Sequence, residues 1–248
     1  MRTTRWVTAA ALFIGVLALV NAQQGRGQFG GGGFGGPTTL ILNTAVQTEL
    51  KMTDDQVAKA KEWSKEQGAK NQAAMKEKLS GLDFKTDEGR AEMAKINAEM
   101  TKSTYADLEK AAILKPEQVK RLRQIDRQNQ GVRAFSSADV VETLKLTDSQ
   151  KSTIKGINEE YQKDSQAIRT EFGIGFGGNK GNKGAKPDPA KSDEGNKKLD
   201  KLRDATIAKI SESLTADQKT AWKEMVGEPF DTSKLRGGFN VPKKDPEE

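Results

Sequence analysis

The chain has 248 residues, sets 41 Lys and Arg against 35 Asp and Glu for a formal charge of +6, and contains neither His nor Cys. Those two absences exclude Ser-His-Asp triads, Cys-His pairs and the usual zinc or copper ligand sets, and they leave no disulfide framework. Because 31% of the residues are charged and both signs are represented, the basic excess reads as a solvated helical surface rather than a nucleic-acid footprint.

Residues 1–22 carry the features of an export signal. Arg2 and Arg5 precede an apolar run from Trp6 to Val20, and Val20-Asn21-Ala22 offers small residues for cleavage after Ala22. The run is shorter than the ~20 apolar residues of a membrane span. The expectation is therefore a periplasmic or secreted protein with no integral membrane segment after processing. Arg2 and Arg5 are the only charges before residue 23, so the chain beyond it carries +4. Residues 23–39 follow as a Gly-rich linker, with Gly25 to Gly36 expected to be disordered. Arg26, Phe29 and Phe34 give it an RGG-like look, but an export signal argues against RNA as its partner.

From there the chain is rich in Ala, Lys, Glu, Gln and Met and poor in β-branched runs, which predicts an all-α fold. In a first unit, 40–135, Val57, Ala60, Trp63, Ala74 and Leu79 recur at helical spacing. They predict a helix over 53–79, roughly 40 Å long, broken at Gly81. Met93, Ile96, Met100 and Leu108 predict a second helix from Asp87 to Ile113. A short third follows Lys115, with Val119, Leu122 and Ile125, and ends near Gly131. In a second unit, 136–230, Ile154, Ile157, Tyr161, Ile168 and Phe172 form a cleaner stripe. Gly173 to Glu194 reads as a disordered loop, and Leu199, Leu202, Ile207, Ile210, Trp222 and Met225 resume the helical pattern. Gly227 and Pro229 suit a helix stop, and 231–248 reads as a disordered tail.

One pentapeptide recurs. Leu146-Thr147-Asp148-Ser149-Gln150 has relatives at Met52-Thr53-Asp54-Asp55-Gln56, Leu114-Lys115-Pro116-Glu117-Gln118 and Leu214-Thr215-Ala216-Asp217-Gln218. Each suits a helix start: a Thr N-cap, acids in the first turn, and a Gln three residues on that reaches back to the cap. Thr53 and Gln56, Thr147 and Gln150, and Thr215 and Gln218 make this pair, while Pro116 and Gln118 mark the variant copy. The opening copies, at 52 and 146, are 94 residues apart, and the closing copies, at 114 and 214, are 100 apart. The chain thus reads as one unit written twice.

A helix-opening L-T-x-x-Q, a long charged helical stretch and a second such motif resemble the LTxxQ family of periplasmic proteins (Spy/CpxP-like). Met52 and Lys115 depart from its pattern. The resemblance implies two tandem helical hairpin units in an elongated thin bundle or cradle, either as a monomeric pseudo-dimer or as a homodimer. It also implies an exported, ATP-independent holdase that binds unfolded or partly folded polypeptides on a concave apolar and basic surface. Family members place motif leucines in that surface, which points here to Leu50, Met52, Leu144 and Leu146. The closing helices add Leu122 and Trp222 at matching positions, with Arg121, Arg123 and Arg127 to attract acidic clients. Where the fourth helical position is Lys151 or Lys219, a hydrophobic staple fails, so Leu146 and Leu214 must pack elsewhere or face a partner. No catalytic residue, metal site or cofactor is expected, and no nucleotide-binding signature is present. The rival readings are a CpxP-like adaptor for an envelope stress sensor and a structural cell-envelope protein.

Overall fold

Helices begin in this chain wherever a capping side chain precedes an apolar stripe, and a computed structural model describes them for residues 36–83, 86–174 and 188–235. All described residues belong to one compact unit. The expected export signal, most of the Gly-rich linker, the middle of the 173–194 loop and the end of the tail lie outside the described residues. The fold is all-α, with no strand among the described residues and no helix among them long and apolar enough to cross a membrane.

The first module comprises α1 (Pro37–Leu40), α2 (Thr44–Glu49), α3 (Asp54–Lys78), α4 (Asp87–Lys110) and α5 (Pro116–Gln130). A 3-10 segment, Gly131–Ser136, leads into the second module: α6 (Ala138–Thr143), α7 (Asp148–Phe172), α8 (Pro189–Glu212) and α9 (Ala216–Val226). A last 3-10 turn spans Thr232–Leu235. Helices α2, α3 and α4 of the first module match α6, α7 and α8 of the second. Helices α2 and α6 both have 6 residues, α3 and α7 both have 25, and α4 and α8 both have 24.

The junctions before the opening motifs also match. Leu50 and Leu144 cap their helices, and the next residues, Lys51 and Lys145, take left-handed conformations at φ 50° and 51°. Met52 N–H donates to Gln47 C=O at 3.0 Å and Leu146 N–H to Val141 C=O at 3.1 Å. These are Schellman closures built on Lys where Gly is the usual residue. They turn the chain sharply enough that Thr53 and Thr147 can start new helices two residues later.

Each module has its own core. Leu40, Ile41, Val46, Leu50, Leu108 and Leu122 are central to the first, and Phe135, Val140, Leu144, Ile154, Ile210 and Leu214 to the second. Equivalent helices α5 and α9 pack on each other between them. The segments that leave these helices then cross over. Val132 and Phe135, which follow α5, are buried in the second core, while Leu235, beyond α9, is buried in the first, with Phe230 packed against it.

Three expected boundaries shift. Pro37–Thr39 belongs to α1 and is not linker, because Pro37 and Leu40 bury themselves against the first core. Residues 188–194 are not loop: Asp188 accepts from Ala190 N–H at 3.0 Å, Pro189 takes a first-turn position, and α8 begins there. Gly195 then lies so close to Phe172 that an added Cβ would stand 2.6 Å from the Phe172 Cβ. Residues 231–235 are not free tail, since burial of Leu235 anchors them.

Left-handed Lys51 and Lys145 carry a steric cost of about 1 kcal/mol that Gly does not. Lys51→Gly and Lys145→Gly are each expected to raise stability by roughly that amount. Urea denaturation of the single variants, read as midpoint shifts at unchanged slope, checks this.

Candidate functional site

The repeated motif builds two matching junctions, each joining an opening helix to a closing one. Thr53 Oγ1 accepts from Gln56 N–H at 3.2 Å, and Gln56 Oε1 accepts from Thr53 N–H at 3.1 Å. The same reciprocal box closes at Thr147 with Gln150 and at Thr215 with Gln218. Lys115 has no side-chain acceptor, so α5 keeps half of the box: Lys115 N–H donates to Gln118 Oε1 at 2.9 Å.

The capping glutamines also bind each other. Gln56 Nε2 donates to Gln118 Oε1 at 2.9 Å and Gln118 Nε2 returns a bond to Gln56 Oε1 at 3.3 Å. Their remaining N–H groups cross over, Gln56 to Ile113 C=O at 2.9 Å and Gln118 to Leu50 C=O at 2.8 Å. In the second module Gln150 and Gln218 exchange bonds of 2.7 and 3.1 Å, and donate to Ser213 C=O at 2.9 Å and Leu144 C=O at 3.0 Å. Each amide thus accepts twice and donates twice, using its full capacity. Glu has no donor for these bonds and Asn is one methylene shorter.

This arrangement consumes the side chains expected to meet a client. Leu50, Leu122, Leu144 and Leu146 are buried in the cores rather than presented to solvent, and Leu214 joins them. Met52 is half-buried on the first core. Trp222 is half-buried with its ring 4.1 Å from Phe135, tilted by 34°. At the opening motifs a left-handed turn at Lys51 or Lys145 precedes the leading residue, and the two cores bury Leu146 and half-bury Met52. The three arginines are likewise engaged within the molecule. Arg121 pairs with Glu49 at 2.7 Å and donates to Glu228 C=O at 2.7 Å. Arg123 pairs with Glu109 at 2.8 Å and lies 4.0 Å from the centre of the Tyr105 ring. Arg127 reaches Asp139 at 3.0 Å and Met225 C=O at 3.2 Å. Arg121 and Arg127 stitch one module to the other across α5 and α9.

Sequence reasoning missed two buried polar groupings. Tyr105 O–H donates to Asp126 Oδ2 at 2.9 Å inside the first core, and Gln130 Nε2 donates to Asp126 Oδ1 at 3.1 Å. Burial raises the Asp126 carboxyl above the usual Asp range, and burial, followed by the neighbouring Asp126 charge, raises the Tyr105 hydroxyl well above its own. Farther along the first hairpin, Gln67 Nε2 bonds Asn71 Oδ1 at 3.1 Å and Asp107 Oδ2 at 3.2 Å. Asn71 Nδ2 bonds Thr104 Oγ1 at 3.1 Å, and Gln67 and Thr104 are buried. The signal for this seam was available: polar Gln67 and Asn71 interrupt the apolar stripe of α3 between Trp63 and Ala74.

Beyond the seam the apolar side chains are only half covered. Met75, Leu79, Leu82, Met93 and Met100 are all partly exposed, and Ile96 is the buried apolar residue among them. A shallow depression of about 500 Å³ lies between α2 and the segment after α9, lined by Thr48, Glu49, Phe230 and Lys234 among others. The site and fold together define an all-α protein made of two clasped helical modules. Comparison with protein-family models, curated proteins and solved structures found no match.

Replacing Gln150 by Ala leaves Ser213 C=O and one side of the Gln218 amide without partners, at an expected cost of about 2 kcal/mol. Gln150→Glu is expected to cost more at neutral pH, because a carboxylate then faces Ser213 C=O and Gln218 Oε1. A double-mutant cycle with Gln218→Ala, read by denaturation, should return a coupling of about 1 kcal/mol or more. For Asp126 the folded state holds its proton more tightly than the unfolded chain does, so its contribution to stability falls as pH rises from 3.8 through the raised value. Asp126→Asn is expected to remove that loss. Its stability relative to the parent should therefore climb with pH across that window in thermal melts.

Proposed function

We propose that this chain is an exported polypeptide-binding protein of the holdase kind, without ATP or cofactor, whose contact surface is the outer half of the first hairpin. One observation carries the reading: three of the chain's six methionines, Met75, Met93 and Met100, stand half-exposed there beside Leu79 and Leu82. Thioether side chains are unbranched and polarizable, so they conform to differing apolar partners without demanding one sequence. The resemblance of the repeated motif to the LTxxQ family supports a periplasmic client binder, and the export-signal pattern at 1–22 supports the location. In this reading the motif leucines and glutamines form the frame, and the methionines do the holding.

The test mixes the full chain with a chemically denatured client and follows light scattering. The parent is expected to suppress aggregation at equimolar protein. The triple variant Met75→Ser, Met93→Ser, Met100→Ser should lose most of that suppression while melting within a few degrees of the parent, as the side chains are only partly buried. By contrast, Leu146→Ala should cost about 2–5 kcal/mol of stability, affecting the frame rather than the contact surface. Suppression unchanged in the methionine variant would refute the placement. One stoichiometric folded partner in a pull-down, with no suppression by the parent, would favour the adaptor reading.

A further inference from the structure

Met75, Met93 and Met100 sit on the two helices of the first hairpin at levels that cross-hairpin bonds define. Asn71 Nδ2 donates to Thr104 Oγ1 at 3.1 Å, and farther out Lys78 Nζ pairs with Glu99 at 2.8 Å. Met75 lies between Asn71 and Lys78 on α3, and Met100 lies between Thr104 and Glu99 on α4, so the two occupy one level of the hairpin. Met93 stands two turns from Met100 on the same face of α4, with buried Ile96 between them. All three are half-exposed, and none belongs to the first core. Elsewhere among the described residues, Met52 packs against the first core and Met225 against the second.

The helical framework does not impose methionine at these places. Counted from Asp54 and Asp148, Met75 of α3 corresponds to Arg169 of α7. Counted from Asp87 and Pro189, Met93 and Met100 of α4 correspond to Gly195 and Leu202 of α8. The second hairpin thus forms from helices of the same lengths without a thioether. What sets methionine apart from those residues is its sulfur, which peroxides oxidise to a sulfoxide. The chain has no Cys to intercept such an oxidant. Its reactive sulfur is therefore methionine alone, and the described methionines outside both cores are those of the proposed contact surface.

We infer that Met75, Met93 and Met100 form a reversible oxidation site that switches polypeptide holding off. The lone pair of each sulfur attacks one oxygen of hydrogen peroxide. An S–O bond forms, the O–O bond breaks, the sulfur gives up two electrons, and the second peroxide oxygen leaves as water. A methionine sulfoxide reductase reverses the change: the sulfoxide oxygen departs as water while two thiols become a disulfide. In the oxidised state each position presents a polar sulfoxide instead of a soft apolar group. An acceptor oxygen pressed against an apolar client has no donor there, which opposes the contact. Met52 and Met225 are sheltered by the cores they pack against, so the frame is the last part to be oxidised. This inference rests on the polypeptide-binding reading above and adds how the surface is regulated.

The test treats the full chain with hydrogen peroxide, maps sulfoxides by peptide mass spectrometry at successive times, and assays suppression of client aggregation at each. Met75, Met93 and Met100 are expected to oxidise at least about threefold faster than Met52 and Met225. Their conversion should raise the protein concentration needed for half-suppression by about tenfold, with the helical circular dichroism retained. Incubation with methionine sulfoxide reductases for both sulfoxide epimers and a dithiol should return suppression to the untreated level. The variant Met52→Leu with Met225→Leu should lose suppression on treatment as the parent does, which places the sensitive sulfurs on the outer hairpin. If Met52 and Met225 oxidise as fast as the outer three, or suppression survives full conversion of the outer three, the inference is wrong while polypeptide binding stands. If the untreated parent suppresses no aggregation, the polypeptide-binding reading is wrong and the switch falls with it, whatever the order of oxidation.

Discussion

The amide pair at the heart of each module is the constraint from which the rest of the architecture follows. A helix start leaves backbone N–H groups without partners, and a helix arriving from elsewhere leaves carbonyls. Here Gln56 and Gln118 serve both deficits at once, because each caps its own helix and binds the carbonyl of the chain entering the other. Two helix starts that are 62 residues apart in sequence become one junction. Leu50 and Leu144, ahead of the opening motifs, are buried in the two cores, and the long helices extend outward from these junctions. Repetition of the junction at Gln150 and Gln218 repeats this outcome, and the opening helices α3 and α7 match at 25 residues each.

The two modules differ most where the clasp does not reach. The second hairpin packs through Gly195, Phe172 and Leu199, whereas the first carries Gln67, Asn71, Thr104 and a group of half-exposed methionines. At the bases, divergence is constrained by mutual dependence. Arg121, Gln124, Arg127 and Gln128 of α5 all bond main-chain carbonyls at the end of α9 or just after it. Those carbonyls are the ones a helix terminus leaves unpaired, so the closing helix of one module serves as the C-terminal cap for the other.

Much of this was legible in the residues. The all-α class, the helix starts at Thr53, Thr147 and Thr215 and the doubled unit follow from local chemistry, since capping and periodicity act within a few residues. What was not legible depends on distant partners. A capping Gln looks the same whether or not its second N–H finds another Gln 62 residues away. Leu50, Leu144 and Leu146 look exposed from their flanking charges, and only the left-handed turn at Lys51 and Lys145 sends them inward. Residues 188–194 read as the end of a loop, yet Pro189 suits the first turn of a helix, and α8 begins there with Gly195 packed close to Phe172. Arg121, Arg123 and Arg127 looked like a free basic patch because their acidic and carbonyl partners lie on other helices.

The placement of Leu235 has a bearing on how the molecule is made. The bond from Asn43 Nδ2 to Lys234 C=O joins residues 191 apart, and Leu235 seals the core that Leu40 and Ile41 begin. A ribosome releases the N-terminal half long before that stopper exists. The earlier half must therefore wait, incompletely sealed, until translation has nearly finished, and a chain searching for so remote a partner folds slowly.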